Sequence, residues 1–306
     1  MSETLAALQF TILTYIAAGF VFCKAGIITS EIQKSLSVLV VEVILPINVF
    51  TSSLENLSVK LIYSFLPTLL LAVLIEIALI AVTKKPVKKF FSREEYRIVR
   101  YGLLVSNGGL VGAPVMEQLF GAAGVIMCNV LMIPTRIVTY SAGELIFGSE
   151  KKTSVFNTIL KNKVIIVMAA ALIMRAMHWN VPEPCFTALK NIGSCLSPLA
   201  LVAVGSMMAN CDPARKEMSF KILFASLLRL IAVPLFALGL CFLFSVDFMN
   251  TAVLVLLLGM PVGTTVAVHA EKYNGNVAFA SAVVFVTTLA STASLILLLE
   301  IVGMFY

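Results

Sequence analysis

Ser106-Asn107-Gly108-Gly109-Leu110-Val111-Gly112-Ala113-Pro114-Val115 lies inside an apolar segment long enough to be a membrane helix. Three glycines and a proline nevertheless fall within the seven residues from Gly108 to Pro114. Proline removes a backbone donor and clashes with the preceding turn, and glycine adds no stiffness. In hydrocarbon a freed N–H or C=O costs several kcal/mol unless protein or a water-filled cavity meets it. The stretch therefore predicts a broken helix that lines a cavity, and that cavity is the expected substrate site.

The rest of the chain fits a membrane setting. Its 306 residues are 60% hydrophobic and 12% charged, against about 25% charged in soluble domains. The mean hydropathy is +1.01. Ten apolar segments approach the roughly 20 residues that a span needs. They run over about 5–23, 33–52, 61–83, 96–118, 122–147, 162–178, 187–209, 219–245, 249–269 and 277–303. The links are short, and no soluble domain fits between them. No Lys or Arg precedes Lys24 and no A-x-A site follows, so the first segment predicts a retained span rather than a signal peptide. The net charge of +6 sits in the links and needs no nucleic acid to explain it.

The basic residues orient the spans. If the links after odd spans share one side, that side holds 17 of the 22 Lys and Arg residues: Lys24, Lys34, seven between Lys84 and Arg100, and eight from Lys151 to Lys272. The other side holds Lys60, Arg175 and Lys190, and Arg136 and Arg229 fall within spans. The positive-inside rule makes the richer side cytoplasmic and puts both termini outside.

Ten spans divide into two sets of five, and an odd number per set inverts one set relative to the other. Traces of such a repeat are present. Gly112-Ala113-Pro114-Val115 in span 4 recurs as Gly259-Met260-Pro261-Val262 in span 9, an offset of 147 (261 minus 114). Pro46 in span 2 matches Pro198 in span 7, an offset of 152 (198 minus 46). Broken helices at matching positions of two halves are the best sequence pointer to a transporter's binding site. The expected domains are a first repeat over 1–147, a cytoplasmic linker over 148–161 and a second repeat over 162–306.

The order of these motifs resembles the auxin efflux carrier family. The resemblance rests on Asn107 to Pro114 followed by Leu119-Phe120-Gly121, on Ser197-Pro198 to Gly205, on Leu228-Arg229 to Pro234, and on Gly259-Met260-Pro261 followed by Ala270 to Tyr273. It covers nearly the whole chain. The resemblance implies an all-α polytopic membrane protein with a sodium/proton-antiporter-like fold: two inverted five-helix repeats with broken, crossing helices 4 and 9. It also implies elevator-type transport of small organic anions such as malate, malonate or auxin-like acids, and a homodimer with spans 1, 2, 6 and 7 as scaffold. The long central loop of the plant auxin exporters is missing, so the chain looks like a bacterial-type member. Span 6 opens on Lys161-Asn162-Lys163, where many relatives carry Asn-Pro.

Several side chains are candidates for the chemistry. Helix N-termini at the crossing offer partial positive charge and unpaired donors to a carboxylate. There Asn107, Gly108, Gly109 and Pro114 of span 4 and Pro261, Thr264 and Thr265 of span 9 form the expected substrate site. The threonines have a second reading, in which they satisfy backbone groups that proline frees. Arg136, in span 5, is either a counter-ion for the substrate or the structural partner of Glu144 or Glu76. Asn129, Arg136 and Tyr140 lie near one face of a continuous helix and form a polar stripe. Asn48 beside Pro46 and Ser197 beside Pro198 reach for the same cavity. Glu42, Glu76 and Glu144 are carboxylates within spans and the candidates for proton coupling; each has an ion pair or the surface as its other reading. Arg229 is read as snorkelling or paired.

Other functions find little support. No H-E-x-x-H, nucleophile elbow or paired C-x-x-C is present, and His178 and His269 stand at span ends. The six cysteines read as small buried hydrophobes. No catalytic residue, metal site or cofactor is expected. An anion channel and a membrane sensor or lipid-binding protein remain as alternatives. The expected partners are a small organic acid and membrane lipids, with no nucleic acid.

Overall fold

The computed structural model describes residues 2–56, 59–84, 86–140, 146–147, 162–210 and 220–306. Glu144, the linker 148–161 and the side chain of Tyr140 lie outside what is described. Among the described residues the secondary structure is helical, and the one extended pairing is an isolated bridge. Among the described residues six helices are long and apolar enough to cross a membrane, and Phe10–Lys24 and Phe248–Leu258 are shorter apolar helices.

In chain order the helices are α1 (Ser2–Lys24), α2 (Ser30–Leu39), α3 (Leu45–Asn56), α4 (Val59–Val82), α5 (Pro86–Phe90), α6 (Arg93–Leu104), α7 (Ala113–Leu131) and α8 (Ile133–Tyr140). Then follow α9 (Lys163–Ala176), α10 (Glu183–Ser194), α11 (Leu196–Asn210), α12 (Phe220–Leu227), α13 (Val233–Leu243), α14 (Phe248–Leu258), α15 (Thr265–Lys272) and α16 (Val277–Phe305). Polar caps set several starts. Asn162 accepts from Val164 N–H at 3.0 Å to open α9, Asp247 accepts from Asn250 N–H at 3.1 Å to open α14, and Ser92 with Glu95 forms a capping box at α6.

Three helices restart through a π-helical turn: Val40–Ile44 before α3, Gly108–Gly112 before α7 and Leu228–Ala232 before α13. Each restarted helix carries proline at its second position, namely Pro46, Pro114 and Pro234. A proline ring clashes with the carbonyl four residues back, and a widened turn opens room for it. Pro114 therefore sits in the first turn of a helix. The break expected around it falls earlier, at 105–107, where the chain is extended.

The chain divides into two compact units. Unit 1 comprises Met1–Ser64, Gly109–Val130 and Leu160–Asn210; unit 2 comprises Phe65–Gly108, Leu131–Ile159 and Cys211–Tyr306. Each unit draws on both halves of the sequence.

In unit 1, α1 packs along α11, while α9 and α10 pack on α3. The first contact needs two glycines. A Cβ on Gly19 would overlap the Val202 carbonyl, and one on Gly205 would overlap that of Ile16. Small residues let membrane helices approach to backbone contact, as here. Gly121 has φ 59° and ψ −150°, a conformation essentially restricted to glycine, and it breaks α7.

In unit 2, α16 packs against α12, α14 and α15, and α13 packs against α14. Helix α14 is almost wholly buried from Asn250 to Leu258. It carries the chain to the crossing.

Candidate functional site

Two extended segments meet inside unit 2. Val105–Asn107 follows α6, and 261–263 follows α14. Ser106 and Val262 form an antiparallel bridge. The Asn107 N–H donates to the Pro261 carbonyl at 2.8 Å, and the Gly263 N–H donates to the Val105 carbonyl at 3.0 Å. The Val262 N–H donates to Thr287 Oγ1 of α16 at 3.2 Å. Each break therefore supplies partners for the other, which meets the accounting for buried backbone. Gly102 permits the approach, since a Cβ there would lie 3.0 Å from Val262 Cγ1.

Arg229 binds the crossing together. It is 0% exposed. Its Nε donates to the Met260 carbonyl at 2.9 Å and its Nη1 donates to the Leu103 carbonyl at 2.8 Å. These carbonyls end the two helices that lead into the crossing, where the helix dipoles favour a cation. Snorkelling is thus overturned: the guanidinium turns inward, because two carbonyls at helix ends await donors there. Glu76 on α4, 3% exposed, attracts Arg229 electrostatically. Arg229 Nη2 and Glu76 Oε1 are each buried without a hydrogen-bond partner among the described residues.

The other expected residues fall as follows. Asn107 and Pro261 lie in the crossing, and both are buried. Gly108 follows directly; a Cβ on it would overlap the Met132 sulfur, whereas one on Gly109 would meet nothing within 4 Å. Thr264 is half-buried and Thr265 exposed; the Thr265 hydroxyl pairs with the Tyr101 hydroxyl at 2.9 Å. The backbone-satisfying role falls instead to Thr287.

Asn129 is buried, and its Nδ2 donates to the Val125 carbonyl at 2.9 Å. Arg136 is half-buried. The polar stripe expected along span 5 needs one continuous helix. Pro134 forbids that: α7 stops at Leu131 and α8 restarts at Ile133, so Asn129 and Arg136 belong to different helices. Glu42 is exposed and pairs with Lys163 at 2.6 Å, its ion-pair reading rather than that of a buried carboxylate.

Unit 1 holds a second polar cluster. Asn48 on α3 and Ser197 on α11 reach one carboxylate, Glu117 on α7. Asn48 Nδ2 donates to Glu117 Oε1 at 2.7 Å and to the Gly193 carbonyl at 3.0 Å. Ser197 Oγ contacts Glu117 Oε2 and lies 3.3 Å from the Pro114 carbonyl. Glu117 was not among the carboxylates singled out from the sequence. Its signal was available: it is the sole carboxylate between Glu95 and Glu144, and it stands three residues after Pro114 in an apolar segment.

Ahead of the crossing, at the start of α6, Glu95 accepts from Lys221 Nζ at 2.8 Å and from the Ser92 N–H at 2.7 Å. Burial opposes its ionisation, but the Lys221 ammonium and the Ser92 bonds outweigh that and hold its carboxyl below the ordinary value.

The long apolar helices among the described residues, together with the family match, make this a multi-pass membrane protein of the transporter class. The family model described as "Membrane transport protein" matches residues 6–299. The chain belongs to this family, the auxin efflux carriers. No curated protein matches it.

Proposed function

We propose that this membrane transporter is a secondary carrier of small organic carboxylates, built as ten spans in two inverted five-helix repeats and working by an elevator mechanism. The observation that carries the reading is the crossing. Two breaks, at 105–107 and 261–263, pair through their main chains and lead into new helix starts. First-turn N–H groups of a helix lack intrahelical acceptors and carry partial positive charge, so a carboxylate suits them.

In this reading Asn107, Gly108 and Gly109 after the first break and Thr264 after the second hold the substrate head. Arg229 neutralises the carbonyl ends behind it. Arg136 supplies a counter-charge. The inner membrane is the expected location, with lipid against exposed side chains such as Phe10, Leu70 and Phe242.

The test is uptake by proteoliposomes from a panel of labelled mono- and dicarboxylates. At least one acid should enter saturably, and Asn107→Ala should raise its KM. Arg136→Lys should retain more transport than Arg136→Met. Uptake of no carboxylate, or normal uptake by Arg136→Met, contradicts the respective assignment.

A further inference from the structure

The hydrogen-bond accounting around Glu117 depends on its protonation state. Asn48 has two amide protons, and both are used: one on Glu117 Oε1, one on the Gly193 carbonyl. Oε1 is thereby held as an acceptor. Ser197 has one hydroxyl proton and two acceptors in reach, Glu117 Oε2 and the Pro114 carbonyl. It can serve only one of them. With Glu117 ionised, Ser197 donates to Oε2 and leaves the Pro114 carbonyl without it. With a proton on Oε2, Glu117 donates to Ser197 Oγ, and Ser197 turns its own proton to Pro114. Every contact is then used.

We propose that Glu117 is a proton-binding site, with the proton carried on Oε2 and Ser197 as the hydroxyl that reorients between Glu117 and the Pro114 carbonyl. One proton is taken from water and one O–H bond forms; no other bond changes. The site joins α3, α7, α10 and α11 within unit 1. Asn48 is 5% exposed, and its Oδ1 is buried without a partner among the described residues, so the cluster holds a spare acceptor for a bound proton donor such as water. The other charged groups on neighbouring elements are engaged elsewhere. Glu55 of α3 pairs with Lys190 of α10 at 2.6 Å. Arg175 of α9 donates to the Leu54 carbonyl at 2.5 Å. Lys163 pairs with Glu42. Glu183 of α10 accepts from Thr187 at 3.5 Å, and α11 carries no ionisable side chain. Among the described residues no ion pair reaches Glu117.

The coupling meaning of this proton rests on the transport reading above, but its existence does not. The test is therefore spectroscopic. Infrared difference spectra of the full chain in lipid nanodiscs, taken on acidification, should show a deuterium-sensitive acid C=O band. The band should vanish in Glu117→Gln, persist in Glu76→Gln and Glu42→Gln, remain in Glu117→Asp, and shift in Ser197→Ala as its hydrogen bond is lost. A band unchanged in Glu117→Gln overturns the proposal. So does the lack of any acid band before the protein unfolds. A band that sodium suppresses at constant ionic strength makes this a cation site and overturns the proton assignment. Failure of every carboxylate to be transported leaves these spectra untouched, so the two readings fail separately.

Discussion

The two polar clusters differ in how their donors and acceptors are arranged. At the crossing in unit 2, the hydrogen bonds run from N–H groups to carbonyl or hydroxyl oxygens and so have one direction. Arg229 satisfies two helix-end carbonyls, the paired breaks satisfy each other, and one guanidinium nitrogen is left over. Around Glu117 in unit 1, acceptors outnumber donors, and one hydroxyl proton is shared between two oxygens. The first arrangement has one state and acts as a clamp. The second has two states of similar bonding and acts as a switch. A transporter needs both: a rigid place for a substrate and a group whose charge can change.

Substitutions separate the clamp from the switch. The largest effect is expected at Arg229. Arg229→Met leaves the Leu103 and Met260 carbonyls without their donors, a loss of roughly 2–6 kcal/mol at about 1–3 kcal/mol for each. Thermal unfolding in detergent should show a large fall in Tm, and Arg229→Lys should recover only part of it, because an ammonium lacks the planar fork. A wild-type Tm for Arg229→Met would break the clamp idea.

Next comes Thr287→Val, which keeps the shape but leaves the Val262 N–H unpaired, at a cost of about 1–3 kcal/mol. Gly121→Ala should cost a similar amount, about 1–3 kcal/mol, from backbone strain alone, since a Cβ there meets nothing within 4 Å. The switch should be softer. Asn48→Ala is expected to lower stability by about 1 kcal/mol, and Glu117→Gln by less, since an amide occupies nearly the space of the neutral acid. A fall as large as that of Arg229→Met would make Glu117 a clamp as well.

The smallest effect belongs to Glu95, outside both clusters. Its carboxyl is held below the ordinary value of 4.5. The stability it adds is therefore fully present above that value and is lost as pH falls through the lower, folded one. An interfacial pair of this kind contributes less than about 1 kcal/mol. The acid-induced fall in Tm should be shallower in Lys221→Met, and an unchanged profile would remove Glu95 from the account.

Much of this organisation was legible in residue order. Glycine and proline inside apolar segments announced the interrupted helices, since their backbone effects are local. Of the two Gly-x-Pro-Val copies, Gly259 to Val262 runs into a segment that pairs, whereas Gly112 to Val115 lies in the helix start that follows the other. Asn48 and Ser197, read as reaching for the substrate cavity, meet each other at the Glu117 carboxylate within unit 1. What the residue order hid was tertiary. The span-5 stripe assumed a continuous helix, and Pro134 breaks it. Arg229 stands within reach of a membrane surface along its own helix, and only the approach of α6 and α14 supplies the carbonyls that turn it inward. Glu117 becomes conspicuous only when α3 and α11 bring donors to it.

Counterflow in proteoliposomes preloaded with an unlabelled carboxylate tests the central claim most directly. A carrier whose site alternates between the two sides should accumulate labelled acid transiently, with a rate that saturates, and Asn107→Ala should weaken that overshoot. Linear uptake that ignores the internal acid would contradict the carrier and describe a pore.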